Sequence, residues 1–290
     1  MSKYKVNKII YGIGILSISK LLFSIGAKFY KYFLSKMITN NDFKTKYGDG
    51  YVIITGEANE LIEKYIEYLY INNHKILLLS QNSNLRELYD KIKYRLKADD
   101  SLFKHINWEK EKVNEYFSNA SILLLNPYTS VTDYLDQINE SNVKNIVENN
   151  VLNLTYIIQK AIFYMKERKK SLIVCLGTSA SLWLPGKKSL YIGSMMYLEG
   201  LIGCLINENT NIDFTYLQTG PIVNIGEDFI SKIPLKISSS ECLSSSLSII
   251  GRYRKSFCHY KHELLYTIYG TTILGKYILF NKINHTKTNI

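Results

Sequence analysis

Cysteine is scarce in this sequence, with four residues among 290. They lie far apart and show none of the paired spacings that bind zinc, at Cys175, Cys204, Cys242 and Cys258. Neither a disulfide framework nor a metal site is therefore predicted. The expectation that follows is four reduced thiols in a domain that faces the cytosol.

Acidic residues are few relative to basic ones, 25 against 36, which gives a formal net charge of +11. Such a charge suits an anionic partner: a phosphate-rich cofactor, an acyl-CoA, a nucleic acid or an anionic membrane surface. The basic residues are scattered and form no nucleic-acid-binding motif, so nucleic acid is the least favoured partner. Hydrophobic residues make up 46% of the chain, which excludes disorder for most of it.

The N-terminal segment 9–33 is apolar over the length of one bilayer crossing, about 20 residues. Lys20 and Lys28 interrupt it, and such charges are costly at the bilayer centre unless they reach the interface. Polar residues recur at helical spacing along one stripe: Ser17, Lys20, Ser24, Lys28 and Lys31. The segment is predicted either to span the membrane or to lie in its interface as an amphipathic helix. No small-residue cleavage site follows it, which argues against a cleaved signal peptide.

Short apolar runs alternate with amphipathic segments along the middle of the chain. Strands are predicted at 51–55, 75–80, 105–107, 121–126, 171–176 and 213–218. Helices are predicted at 58–73, 84–96, 142–167 and from Tyr191 onward. Continuous apolar strands between helices are typical of a parallel sheet covered on both faces. The predicted fold is therefore α/β, a doubly wound parallel sheet of Rossmann-like type with an N-terminal apolar helix, and ligands bind such sheets at the carboxyl ends of the strands.

The domain organisation follows from these patterns. The predicted regions are a membrane-associating helix at 1–37, a linker at 38–50 and the α/β domain at 51–290. Beyond Pro221 the alternation stops, and 222–290 is predicted to form a substrate lid and an apolar tail. The segment 264–280 is either a second membrane-contacting helix or a helix that packs over the substrate mouth.

Three stretches carry a resemblance to a known family. They are "KYGDGYVIITG" at 46–56, "YMKERKKSLIVCLGTSASLWLPGKKSLY" at 164–191 and "SSLSIIGRYRKSFCHYKHELLYTIY" at 245–269. Together with the order of elements, they resemble the short-chain dehydrogenase/reductases. The microsomal branch, which includes very-long-chain 3-ketoacyl-CoA reductases and 17β-hydroxysteroid dehydrogenase type 12, is the most similar.

The resemblance implies roles for three residues in carbonyl reduction. Tyr191 matches the general acid that protonates the carbonyl oxygen, and Thr178 matches the serine that binds it. Asn150 matches an asparagine that anchors a proton-relay water. The family's lysine, which lowers the pKa of the tyrosine, is replaced by Met195. The nearby Lys187 and Lys188 are the candidates to compensate for it.

The resemblance also implies NADPH as the cofactor. Gly56, Gln81, Asn126 and Gly220 match cofactor-binding positions. Two glycines of the family's phosphate-binding turn are replaced by Glu60 and Ile62. We expect their side chains to hinder close approach of the pyrophosphate, and the Glu60 carboxylate to repel it.

Two functions remain open on these residues, and a third rests on charge alone. The first is a membrane-associated, NADPH-dependent reductase of 3-ketoacyl-CoA or ketosteroids, in very-long-chain fatty-acid elongation at the endoplasmic reticulum with its domain facing the cytosol. The second is a catalytically inactive relative that acts as a binding or scaffold subunit at the membrane. A nucleotide- or RNA-binding domain has only the net charge in its favour. The apolar residues of 145–163 and 195–206 allow a homodimer.

Overall fold

A computed structural model of the chain describes residues 3–37, 42–80, 83–108, 113–128, 133–182, 184, 186–223 and 235–267. Seven parallel strands form one sheet in the order β3-β2-β1-β4-β5-β6-β7. The strands are β1 (Tyr51–Gly56), β2 (Ile76–Ser80), β3 (Phe103–Asn107), β4 (Ala120–Asn126), β5 (Ser171–Thr178), β6 (Ile212–Thr219) and β7 (Lys255–Phe257). The strand order reverses between β1 and β4, as in a doubly wound sheet, so the predicted fold class is confirmed.

Helices cover both faces of this sheet. They are α1 (Lys3–Met37), α2 (Phe43–Tyr47), α3 (Glu60–Ile71), α4 (Ser83–Leu96), α5 (Asn114–Ser118), α6 (Glu140–Val147), α7 (Leu154–Met165), α8 (Ser189–Glu208), α9 (Ser239–Ser246) and α10 (Tyr260–Leu265). One apolar core lies between the sheet and α3, α4 and α9, and a second lies between the sheet and α5, α7 and α8. Strands buried on both faces explain the continuous apolar runs of the sequence.

The predicted linker contains a short helix. α2 begins after Asp42, whose carboxylate accepts a hydrogen bond from the Lys44 amide. Phe43 and Tyr47 are buried, and the Tyr47 hydroxyl donates to Asp213 Oδ2 at 3.0 Å. Burial, with the nearby Asp213 carboxylate, raises the pKa of Tyr47. This part of the linker therefore packs on the α/β domain.

Strand β7 lies in the region where the sequence predicts no further alternation. It pairs in parallel with β6, with Leu217 opposite Ser256. The prediction misses β7 because three residues are too few to show a strand period. Of the apolar segment predicted at 264–280, residues 268–280 lie outside the described residues.

Helix α1 leaves much of its apolar surface uncovered. Leu16, Leu22 and Phe23 are 71%, 63% and 78% exposed. The stretch Tyr11–Phe33 is long and apolar enough to cross a bilayer, by length and composition. Helix α8 passes the same test, but its inner face belongs to the core of the domain.

The C-terminal end of α1 packs against α10. Tyr32 is buried, and its hydroxyl lies 2.8 Å from Glu263 Oε2 and 3.0 Å from the Phe257 carbonyl oxygen. Lys31 pairs with the same carboxylate at 3.2 Å. These contacts fix one end of α1 to the domain.

Candidate active site

The turn after β1 is joined to the end of β4 through its backbone. Parallel pairing places Gly56 opposite Asn126. The Glu57 amide donates to the Asn126 carbonyl oxygen at 2.7 Å, and the Asn126 side-chain amide donates to the Glu57 carbonyl oxygen at 2.7 Å. Two predicted cofactor-binding residues therefore lie side by side at the carboxyl edge of the sheet.

Gly56 is required there by geometry. Its φ is +113°, and a Cβ at this position would lie 1.8 Å from the Asn126 carbonyl oxygen. Only glycine adopts such a backbone without strain. The close approach of β4 is therefore a structural reason for the glycine, in addition to the role that the family resemblance implies.

Helix α3 is capped by the chain itself. The Asn59 side chain accepts a hydrogen bond from the Ile62 amide at 3.1 Å, and the Asn59 carbonyl oxygen accepts one from the Glu63 amide at 3.0 Å. The second is the ordinary first bond of the helix, and the first satisfies one of the terminal amides that a bound phosphate would otherwise accept. Glu60 and Glu63 stand in the first turn, where carboxylates interact favourably with the helix dipole.

The expectation for Ile62 is wrong. Its side chain is fully buried in the core between α3 and the sheet. Because the residue lies on the inner face of the helix, its side chain does not stand between the helix terminus and a ligand. Hindrance at this turn therefore comes from Asn59 and Glu60.

A surface groove of about 650 Å³ lies between the first turns of α3 and α4. Its lining includes three carboxylates and one lysine, from Glu60, Glu63, Glu87 and Lys91. Lys91 pairs with Glu63 at 3.0 Å, and Arg95 pairs with the same carboxylate at 2.6 Å. Glu60 and Glu87 add two carboxylates to this paired one, so the groove is acidic, and its charge disfavours a phosphate. Gln81, the predicted residue for the 2′-phosphate, lies outside the described residues.

The carboxyl end of β5 brings two hydroxyl groups together. Thr178 ends the strand and is buried, and Tyr191 stands in the first turn of α8. Burial raises the pKa of Tyr191 to about 12, the nearby Thr178 side chain lowers it, and the Glu57 carboxylate raises it. The Thr178 hydroxyl also accepts a hydrogen bond from the Ala180 amide at 3.1 Å. The structure thus unites the predicted proton donor with the predicted carbonyl-binding hydroxyl.

Met195 is buried in the core, one turn beyond Tyr191. Its side chain is 0% exposed and packs in the apolar cluster beneath α8. The Lys187 ammonium lies over the Tyr134 ring, 5.0 Å from its centroid. The charged group that acts on the pKa of Tyr191 is the carboxylate of Glu57, opposite in sign to the family's lysine.

Asn150 stabilises the start of α8 through hydrogen bonds. It lies in a π-helical turn between α6 and α7 and is fully buried. Its amide exchanges two hydrogen bonds with the backbone of Tyr128, at 2.7 and 2.9 Å. Its nitrogen also donates to Ser194 Oγ at 3.2 Å, and that hydroxyl donates to the Tyr191 carbonyl oxygen at 2.8 Å. The residue predicted as a water anchor therefore positions the turn that carries Tyr191, and the water relay stays a prediction.

Gly220 follows β6 and contacts His262 from α10. The Gly220 amide donates to His262 Nδ1 at 3.0 Å. A Cβ on Gly220 would lie 2.5 Å from the imidazole ring, so this position accepts only glycine while the histidine is present.

Sequence reasoning missed the roles of Asn59 and His262. An asparagine before an apolar helical run is a cap signal and could have revealed Asn59. His262 is far from Gly220 along the chain, and no local pattern links the two.

The similarity of this chain to known proteins lies in its fold. No family model matches the sequence, and no curated protein matches it. The fold is similar to that of a 7β-hydroxysteroid dehydrogenase, with a TM-score of 0.64 and 9% identity over 79% of this chain and 95% of the other. It is also similar to ElxO with NADP bound, with a TM-score of 0.57 and 16% identity over 73% and 98% of the two chains.

A short-chain dehydrogenase/reductase from Serratia marcescens gives a TM-score of 0.58 and 12% identity, over 73% of this chain and 98% of the other. The chain has the short-chain dehydrogenase/reductase fold. At these identities the likeness shows the fold, and the activity has to be argued from the site itself.

Proposed function

We propose that this chain is a membrane-associated, NADPH-dependent reductase of ketones. The observation that carries the proposal is the pair of hydroxyls from Tyr191 and Thr178 at the carboxyl ends of the strands. In a doubly wound sheet this edge is where ligands bind. The resemblance to the microsomal branch favours a 3-ketoacyl-CoA, or a ketosteroid, as the substrate.

The two hydroxyls have distinct tasks in this reaction. NADPH, when bound, supplies the hydride that adds to the carbonyl carbon. Thr178 donates a hydrogen bond to the carbonyl oxygen and orients it. Tyr191 gives its proton to that oxygen, and solvent then reprotonates the phenolate. Asn150, acting through Ser194, holds the first turn of α8 in place for this transfer.

The residues present fit NADPH at one end of the site better than at the other. Gly56 puts no side chain at the edge between β1 and β4, where a doubly wound sheet binds a dinucleotide. The capped and acidic first turn of α3 opposes the pyrophosphate. We therefore expect NADPH to bind, but more weakly than it would with a glycine-rich turn.

The membrane is the proposed location of the enzyme. The exposed apolar surface of α1 suits lipid, and the contacts of Tyr32 and Lys31 with Glu263 hold the helix to the domain. With the resemblance, this favours the endoplasmic reticulum membrane, very-long-chain fatty-acid elongation and a domain on the cytosolic side. Exposed apolar side chains on α7 and α8, such as Tyr156, Phe163 and Met196, support a homodimer.

A second function, an inactive binding subunit in the same setting, is favoured by one observation. Met195 is 0% exposed in the core, so the position that carries the activating lysine in the family has become part of the packing. A tyrosine with a pKa near 12 is also a poorer acid than one activated by an ammonium.

The experiment that tests the proposal uses the full chain in phospholipid vesicles. NADPH consumption is measured with a 3-ketoacyl-CoA for the native protein, for Tyr191→Phe and for Tyr197→Phe, a control in α8 whose hydroxyl bonds Thr155. We expect Tyr191→Phe to lower kcat about 100-fold or more, and the control to change it less than about twofold. Because the pKa of Tyr191 is raised, the phenol stays protonated up to about pH 10, so its ionisation should not reduce the rate between pH 7 and 10.

The competing results separate the two functions. Equal rates for the native protein and Tyr191→Phe would remove the tyrosine from the chemistry. A folded native protein that neither binds nor consumes NADPH would end the reductase proposal and favour the inactive subunit.

A further inference from the structure

His262 contacts two consecutive residues of the turn that follows β6. Its Nδ1 accepts a hydrogen bond from the Gly220 amide at 3.0 Å, and its Nε2 lies 3.2 Å from the Pro221 carbonyl oxygen. The side chain is 1% exposed. One buried imidazole therefore contacts both the Gly220 amide and the Pro221 carbonyl oxygen.

These partners determine the protonation of the ring. A nitrogen that accepts from a backbone amide carries no hydrogen, so Nδ1 is the unprotonated nitrogen and Nε2–H donates to Pro221. The Cys258 sulfur lies 3.1 Å from the same Nδ1. The imidazole is neutral, with every hydrogen-bonding atom engaged.

The turn held in this way borders the candidate active site. Strands β5 and β6 pair Thr178 with Thr219, the residue before Gly220. The Thr219 hydroxyl donates to the Gly177 carbonyl oxygen at 2.6 Å. A shift of the Gly220–Pro221 backbone would therefore also displace Thr219 and, through it, the end of β5 that carries the Thr178 hydroxyl.

We propose that His262 is a positioning residue for the reductase site, which it serves by fixing the Gly220–Pro221 backbone. This inference rests on the proposed function, since it assigns the turn a part in holding NADPH or the substrate. It also makes the C-terminal region a component of the site. The glycine at 220 is then matched to the imidazole, because a Cβ there would meet the ring at 2.5 Å.

The test compares two substitutions of His262 with a neighbour on the same helix. His262→Phe keeps a flat ring but leaves the Gly220 amide without an acceptor. His262→Asn retains an oxygen near the place of Nδ1 and should restore that bond alone. Glu263→Gln is the matched control, because Glu263 faces α1 and bonds Lys31 and Tyr32 instead of the turn.

Hydrogen exchange of the full chain in detergent supplies a readout that does not depend on activity. In His262→Phe we expect the Gly220 amide to exchange at least about tenfold faster, with strand β4 unchanged. NADPH affinity and kcat/KM should each fall about tenfold, and His262→Asn should recover part of both. Glu263→Gln should leave all three quantities within about twofold of the native values.

Two results would overturn the inference. Faster exchange throughout the sheet, with an unchanged kcat/KM for the folded fraction, would make His262 a residue of general stability only. Local loss of protection at Gly220 without any change in NADPH affinity or kcat/KM would separate the turn from the site. If the native protein shows no reduction at all, the proposed function fails, and the exchange measurement still decides whether His262 holds the turn.

Discussion

The carboxyl end of β1 and the carboxyl end of β5 satisfy their polar groups in different ways. After β1, the chain bonds to itself: Asn126 holds Glu57, and Asn59 caps α3. After β5, two residues with hydroxyl groups lie near one another: Thr178 ends the strand, and Tyr191 stands in the first turn of α8. In a doubly wound sheet the first region is where the phosphates of a dinucleotide bind, and the second holds the two residues that we propose bind and protonate the carbonyl.

This difference shows that the two strand ends, which lie at the same edge of the sheet, present different groups: backbone bonds and a helix cap at one, and two hydroxyl-bearing residues at the other. The sheet pairs β1 with β4 in the usual register even though the turn between β1 and α3 has become acidic. Core packing and ligand contacts are therefore separate constraints on the same residues. Three substitutions test this distinction.

The largest effect is expected at Met195. A lysine there would place an ammonium in an apolar cluster where the native side chain is 0% exposed. We expect Met195→Lys to lower the free energy of unfolding by about 4 kcal/mol, measured by urea unfolding of the full chain in detergent. Asn207→Lys is the control, because Asn207 is an exposed polar residue of the same helix, and its cost should stay within about 0.5 kcal/mol. A stable Met195→Lys protein with faster NADPH consumption would mean that the site still accommodates the lysine.

Gly56 is the next test, because it lies where β1 approaches β4 most closely. Ala at this position must adopt a φ of +113° and move away from the Asn126 carbonyl oxygen. The expected loss is about 3 kcal/mol in the free energy of unfolding. Gly193→Ala, in α8, meets no atom within 4 Å and should stabilise the protein by about 0.5 kcal/mol. Equal stability of the two variants would contradict the close approach of β1 and β4.

The smallest effect concerns the charge at the start of α3. Glu60→Gln removes one carboxylate from the helix terminus that a pyrophosphate would face. We expect NADPH to bind about two- to fivefold more tightly, with the gain shrinking as salt is added, by isothermal titration calorimetry. Glu148→Gln changes an exposed carboxylate in the π-helical turn and should leave the affinity unchanged. An unchanged affinity for Glu60→Gln would show that the phosphates do not approach this turn.

The structure agrees with the sequence-based placement of some predicted site residues and differs for others, and each outcome has a physical reason. Tyr191 and Thr178 lie near one another because Thr178 ends β5 and Tyr191 stands in the first turn of α8. The alternating pattern predicts both elements. Ile62 was misread because a position in a motif does not tell which face of the helix the side chain takes once the core packs. Asn150 was predicted to serve a water, and the fold uses its amide to join the turn after β4 to α8.

The layered α/β architecture follows from the amino-acid sequence alone. Apolar runs such as "YVIIT" and "SLIVCL" must be buried on both faces, and amphipathic helices between them supply the cover. The sequence also determined that α1 is long and apolar enough to cross a bilayer, since length and hydrophobicity are properties of the segment alone.

The contacts of the polar groups at the strand ends, in contrast, depend on the folded structure. The bond between His262 and Gly220, the pairing of Asn126 with Glu57 and the burial of Met195 each join residues that are distant in the chain or choose one face of a helix. Such contacts depend on how the helices pack on the sheet. Periodicity reports which face of an element is apolar, and it carries no information about which distant backbone a polar side chain will meet.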